Sequence, residues 1–330
     1  MNSIFDTHVH LCEPESVTGF TEYMRRTGVQ KVVSLSLPDL SRGSLNAGVL
    51  EAKRRLPDLV YALGSLDYRG LVSGEKRALT VPTLADQMMQ MWAMGFDGLK
   101  MWIGKPSFQV KLGFGPDHPE VIAALNVARK LDMPVLIHSG EPPQFWDAAH
   151  AEVEQRLGVS HGDRYGDFWF YVTHAEAIAD RHPGLRIVFA HLLFLAGDLN
   201  RLARVLDTYP DVCVDLAPGR YLYPALSQSP ERARDFFSSY QDRILFGSDG
   251  FWFPSSVDYL APADLDENCL RAMELRKFLE TDETFVNPFA LEKGRVPTVQ
   301  GLRLSPRVLR AVCWENGNRL FGHTPRRVSG

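Results

Sequence analysis

What most constrains this chain is a phrase that recurs along it: a helical pattern, a turn of Gly, Pro or Asp, a short apolar run, then a polar residue. The turn-and-strand parts are IFDTHVH (4–10), TGVQKVVSLS (27–36), LPDLVYALGSLD (56–67) and MGFDGLKMW (94–102). They continue with LDMPVLIHSGE (131–141), HPGLRIVFAH (182–191), YPDVCVDLAP (209–218) and YQDRILFGSD (240–249). Amphipathic stretches lie between, such as VIAALNVARKL (121–131) behind Pro119-Glu120 and DLNRLARVLDTY (198–209) ahead of Pro210. Pro at a helix start and Gly or Pro beyond its end is the expected asymmetry. Short apolar runs alternating with helices read as βαβ units on a parallel sheet. Eight of them predict an α/β fold, a closed (β/α)8 barrel of the TIM type. The alternative, an open doubly wound sheet, would place a Gly-rich phosphate loop after the first run, and none follows it.

No linker or charge run divides the chain, so residues 1–330 read as one domain. The longest departures from the phrase are 142–172, after the fifth run, and 250–304, after the eighth. Both are aromatic-rich and read as extended, ordered loops or lids, the second as an inserted region. Trp102, Phe145, Trp146, Trp169, Phe251, Trp252 and Phe253 are expected in the parts that roof the barrel mouth. The tail SPRVLRAVCWENGNRLFG (305–322) reads as the closing helix.

Composition excludes several functions. A net charge of −4 on 330 residues offers no electrostatic footprint for nucleic acid or an anionic membrane. Cys12, Cys213, Cys269 and Cys313 are scattered without metal spacing, which fits a reducing compartment. The longest apolar run, IVFAHLLFLAG, falls short of the roughly 20 residues of a membrane span. Ile4-Phe5 is far too short for the apolar core of a signal peptide. The expectation is a cytoplasmic protein acting on a small molecule.

Reactive side chains gather where the runs end. His8 and His10 close the first, Lys100 the fourth, His138 the fifth, His191 the sixth and Asp249 the eighth. In a barrel these ends form the catalytic face. On a strand, residues two apart share a side, so Asp6, His8 and His10 are expected on one face. His8, His10, His138 and Asp249 together supply three nitrogens and an oxygen, a donor set for one divalent ion.

FDTHVH, DGLKMW, VLIHSGEP, IVFAHL, ILFGSDG and ENGNRLFG, in this order, resemble the amidohydrolase superfamily, and within it the amidohydrolase-2 branch. The resemblance runs from Ile4 to Gly322. It implies a distorted (β/α)8 barrel, metal ligation by His8, His10, His138 and Asp249, and a second-shell or substrate-facing role for His191. It also implies a homodimer. Zn2+ is the expected ion and Mn2+ the alternative. Asp249 and His191 are the expected catalytic residues, and Lys100, Glu141, Arg220 and Trp102 the expected substrate contacts. Such a site would hydrolyse a C–N or C–O bond with an activated water. The alternative is metal-dependent, non-oxidative decarboxylation, in which Lys100 and Arg220 anchor an acidic substrate. Similarity to the single-metal branch implies an unmodified Lys100 facing the mouth. One departure stands out: Leu192-Leu193 follow His191 where many relatives show a Gly.

Overall fold

The eight runs become eight strands. They are β1 (Ile4–Leu11), β2 (Val29–Leu35), β3 (Val60–Gly64), β4 (Gly98–Gly104), β5 (Val135–Ser139), β6 (Ile187–Phe189), β7 (Val212–Asp215) and β8 (Ile244–Leu245). A ninth short strand, β9 (Gly250–Trp252), follows at once. The computed structural model describes residues 3–72, 81–146, 166–217, 219–252, 264–287, 298–322 and 324–328.

The strands pair in parallel in chain order from β1 to β8, and β9 lies on the far side of β1. Between β8 and β9 the backbone bonds to β1: Thr7 N–H donates to Phe246 O and Asp249 N–H to His8 O, each at 2.9 Å. The sheet thus curls until its last strand meets its first. Phe5, Val33, Leu35, Tyr61, Leu63, Leu136, Val188, Cys213 and Leu245 fill its interior, as expected for a packed barrel. Ile4, Val9, Leu11, Val32, Leu99 and Ile137 face outward into the larger apolar cluster under the helices.

That outer layer comprises α1 (Val17–Thr27), α2 (Asn46–Arg55), α3 (Leu84–Met94), α4 (Pro106–Leu112), α5 (Pro119–Lys130) and α6 (Phe168–Arg181). It continues with α7 (Leu199–Thr208), α8 (Gly219–Ser227), α9 (Pro230–Ser239) and α10 (Leu265–Glu280). The expected closing helix is present in three pieces: α11 (Pro306–Arg310), a π turn at Ala311–Glu315, and α12 (Asn316–Phe321). The region 250–304 is not loop throughout, since it holds β9, α10 and the antiparallel pair Thr284–Val286 with Thr298–Gln300. Phe253 and much of 142–172 lie outside the described residues. No helix among the described residues is long and apolar enough to cross a membrane.

One expectation about β1 is overturned. The register against β2 shifts between Asp6 and Val9, and this irregularity breaks the two-residue alternation. Phe5 and His8 both face inward, whereas Asp6 accepts hydrogen bonds from the Tyr23 hydroxyl of α1 and from the backbone N–H of Ser248 at 3.0 Å. Asp6 therefore ties β1 to α1 and to the stretch before Asp249. It does not share the face of the two histidines.

Candidate metal centre and active site

His8 is held from behind. Its Nδ1 lies 2.7 Å from Asp215 Oδ2, at the end of β7. Asp215 Oδ1 in turn accepts from the backbone N–H of His191 at 2.8 Å and of Ala217 at 3.2 Å. With its Nδ1 proton given to a carboxylate, His8 turns an electron pair at Nε2 toward the mouth. Carboxylate support of this kind orients imidazole ligands in metal sites.

Three donor atoms then converge. His8 Nε2 is 3.2 Å from His10 Nε2 and 3.3 Å from Asp249 Oδ1, and His10 Nε2 is 3.5 Å from the same oxygen. A four-coordinate ion with ligands at about 2.0–2.2 Å places those ligands about 3.3–3.6 Å apart. The donor set and its spacing therefore fit a small divalent cation. Burial holds both imidazoles below their usual pKa, hence neutral and able to ligate. Burial would raise Asp249, but the hydrogen bond with His10 and the surrounding imidazoles hold it well below the usual carboxylate range. Asp249 takes a left-handed backbone (φ 55°), and its side chain keeps 21% exposure toward the mouth.

His138 lies beside this triangle. Its Nδ1 is 3.0 Å from His191 Nε2, and its Nε2 is 2.9 Å from Gly140 O and 3.5 Å from Glu141 Oε1. His191 Nδ1 meets Ala217 O. The contacts to Ala217 O, between the rings and to Gly140 O have two ring protons between them when both imidazoles are neutral. One contact must therefore yield to a ligand, a cation or a further proton. His8, His191 and Asp215 also form a compact donor group, which shares His8 with the first.

The expected substrate contacts are spread differently. Lys100 is fully buried inside β4 with Nζ 3.3 Å from His8 Nε2, so it lies beneath the rim and does not face the mouth. Glu141 is buried and paired with Lys105 at 2.7 Å. Burial would raise its carboxyl, but that ammonium outweighs the effect and pulls the pKa down. Trp102 is buried edge-on against Phe108, with the Lys105 ammonium 5.0 Å from its ring centre. Trp252 packs on Phe20 and Tyr23 of α1, away from the mouth. Arg220 is the second residue of α8, and its side chain lies outside what the structure describes.

Asp215 and Lys105 escaped the sequence reading. Asp215 ends its apolar run as His138 and His191 end theirs, and that shared grammar was the signal available. Lys105 lies in the turn after β4, and nothing in KPSF marks it.

A family model described as Amidohydrolase (Amidohydro_2) matches residues 6–323. The chain belongs to this family. Members of the family are metal-dependent enzymes, hydrolases and decarboxylases among them. No curated protein matches the chain at a significant level. Among solved structures, a probable 2-pyrone-4,6-dicarboxylic acid hydrolase from Acinetobacter baumannii is similar at 14% identity and TM-score 0.56, over 98% of this chain and all of that one. A zinc-bound amidohydrolase from Burkholderia multivorans gives 13% and 0.53 over 98% and 100%. A 5-carboxyvanillate decarboxylase from Novosphingobium aromaticivorans, complexed with manganese, gives 14% and 0.52 over 97% and 96%. At these identities the likeness is one of fold.

Proposed function

We propose that this amidohydrolase-family protein is a metal-dependent hydrolase of a C–N or C–O bond in a small acidic or cyclic substrate, an amide, lactone or related ester. The observation that carries the reading is the convergence of His8 Nε2, His10 Nε2 and Asp249 Oδ1 at the mouth of the barrel. These three residues would hold one divalent ion, zinc first and manganese as the alternative, and His138 is the fourth ligand that the family resemblance implies. Such an ion supplies Lewis acidity and brings the pKa of a water to about 7.

The chain's own residues do the rest. Asp215 fixes the ring plane and tautomer of His8. Asp249, ionised and open to the mouth, accepts the proton of the attacking water and delivers it to the leaving group. His191 donates its Nδ1–H to Ala217 O, and its Nε2 faces His138 Nδ1 at 3.0 Å; in neutral form that Nε2 is an acceptor, open to substrate once His138 turns to a ligand. His191 takes up a proton or holds a substrate O–H there, and oxyanion stabilisation requires its imidazolium. His191→Asn should keep its metal and lose roughly 10²-fold or more in turnover, the scale of losing a general acid–base group. Equal turnover in the two proteins would remove His191 from the reaction.

Decarboxylation is the second reading. The buried Lys100 ammonium, 3.3 Å from His8 Nε2, puts positive charge beneath the donor triangle and so favours an acidic substrate, and a decarboxylase is among the similar structures. Turnover in oxygen-18 water separates the two. Label in the product acid supports hydrolysis, whereas CO2 release without label makes the protein a decarboxylase.

A further inference from the structure

Asp249 is the one donor that the backbone holds against its own preference. Its φ of 55° lies in the left-handed region, which is costly for a residue with a Cβ. Such a conformation persists where the surroundings over-determine it, and here they do so from both sides. Asp249 N–H donates to His8 O at 2.9 Å. Just before it, Ser248 N–H donates to Asp6 Oδ1 at 3.0 Å, and just after it, Gly250 N–H donates to Ser248 Oγ at 3.2 Å.

The same Asp6 oxygen reaches the other donor strand. Oδ1 also accepts from the backbone N–H of His8, at 3.2 Å. One carboxylate oxygen thus joins the backbone that carries His8 to the backbone that leads into Asp249. The second oxygen, Oδ2, accepts the hydroxyl of Tyr23 on α1, and Tyr23 Oη lies 3.3 Å from Ser248 Oγ. Because the Tyr23 proton goes to the carboxylate, the Ser248 hydroxyl donates to Tyr23 and is left free to accept from Gly250. Every proton of the circuit then has one place. Asp6, Tyr23 and Ser248 are all buried, so bulk water does not compete for these bonds.

We infer that Asp6, Tyr23 and Ser248 are positioning residues of the metal centre: they act as one bracket that fixes the spacing of His8 and Asp249, and the Tyr23 hydroxyl extends that bracket to α1, outside the barrel wall. The inference rests on the mouth being the metal centre. None of the three touches a donor atom of the triangle, so their effect passes through the backbones of His8 and Asp249.

Tyr23→Phe removes the hydroxyl and keeps the ring that packs on Phe20 and Trp252. Ser248→Ala opens the bracket at its other end. Zinc affinity, read by competition with a chelator at a temperature where every variant is folded, should fall about tenfold in each. That is the lower end of what the outer partners of a metal ligand are worth. Val17→Ala separates positioning from stability, since it thins the packing of α1, where Val17 is buried, without touching the bracket. Its melting temperature should fall while its zinc affinity stays at the wild-type value. Tyr23→Phe and Ser248→Ala proteins that bind zinc as tightly as wild type overturn the inference, and so does a Val17→Ala protein whose affinity falls as far as theirs. A His8→Ala, His10→Ala protein keeps the two readings apart. If it retains zinc, the metal centre itself is misplaced; if it loses zinc while both bracket variants keep theirs, the bracket alone fails.

Discussion

Each ring nitrogen of His8 has its own task, and the two neighbours that enforce this give testable consequences. Asp215 holds Nδ1 and is itself fully buried. Asp215→Asn keeps the shape but can present its amide N–H to the ring and invert the tautomer. Supporting carboxylates of this kind are worth 10–100-fold in metal affinity. A loss of about that size, read by competition with a chelator, is expected. Lys100 acts on Nε2 in the opposite sense. Burial lowers its pKa to about 8, partly offset by Asp215 and Asp249, so it is an ammonium at neutral pH. A divalent ion about 4 Å from it would be repelled by about 8 kcal/mol at an effective dielectric near 20. Metal affinity should therefore climb as pH rises toward about 8 and level off above it, where Lys100 has already given up its proton. Lys100→Met should remove that climb and tighten binding at pH 7 by an order of magnitude or more. For the metal-free protein, a folded pKa below the unfolded 10.5 means that stability rises from about pH 8 to 10.5, because only the unfolded chain still holds the proton. Equal affinity–pH profiles for wild type and Lys100→Met would show that the lysine turns away from the ion.

At the scale of elements, the turn after β6 sets strain against burial. Left-handed backbone costs about 1–2 kcal/mol per non-glycine residue, yet Leu192 and Leu193 are 0% and 1% exposed. Removing a buried leucine typically costs 2–5 kcal/mol, so burial wins and the turn stands. The balance predicts an inverted ranking. Leu193→Gly should be less stable than wild type but more stable than Leu193→Ala by about 1 kcal/mol, since glycine is released from the strain that alanine retains. Denaturant midpoints of the three proteins decide it, and an alanine variant equal to or above the glycine variant would count against the strained turn. This element marks where the sequence was legible. The eight runs announced the strands, because apolar periodicity and turn residues are local signals, and IVFAH placed His191 at a strand end. The left-handed path of His191–Phe194 was not legible, since nothing in HLLF favours it and it depends on what packs around it. The shift that turns Asp6 away from His8 was hidden for the same reason: it arises where β1 meets β2 and the turn before Asp249, far apart in sequence.

At the scale of the whole molecule, the site depends on a seam. His8 and His10 come from the first strand and Asp249 from just beyond the eighth, so the donor triangle exists only where the barrel closes. Backbone bonds from Thr7 N–H and Asp249 N–H and the pairing of β9 with β1 cross that seam, and the chain's last helical segment supports it from outside. Phe246 N–H donates to Val312 O in the π turn at 3.1 Å, and the Asn316 amide donates to Gln241 O and Ile244 O at 2.7 Å each. Gly317 lies against Phe5 so closely that a Cβ there would be 2.5 Å from the ring. The tail thus fixes both β1 and β8, although ENGNRLFG touches no donor atom. Asn316 is 1% exposed, and leucine in its place has a similar volume but leaves the buried carbonyl of Ile244 and the part-buried carbonyl of Gln241 without their donor. An unsatisfied buried acceptor costs about 1–3 kcal/mol, so Asn316→Leu should lose about 2–4 kcal/mol of stability. If the seam positions Asp249, the same variant should also bind metal more weakly at temperatures where it remains folded. Circular dichroism melting paired with a metal titration at 10 °C tests both parts. A destabilised protein with unchanged metal affinity would show that β1 and the Asp249 turn hold their register without the tail.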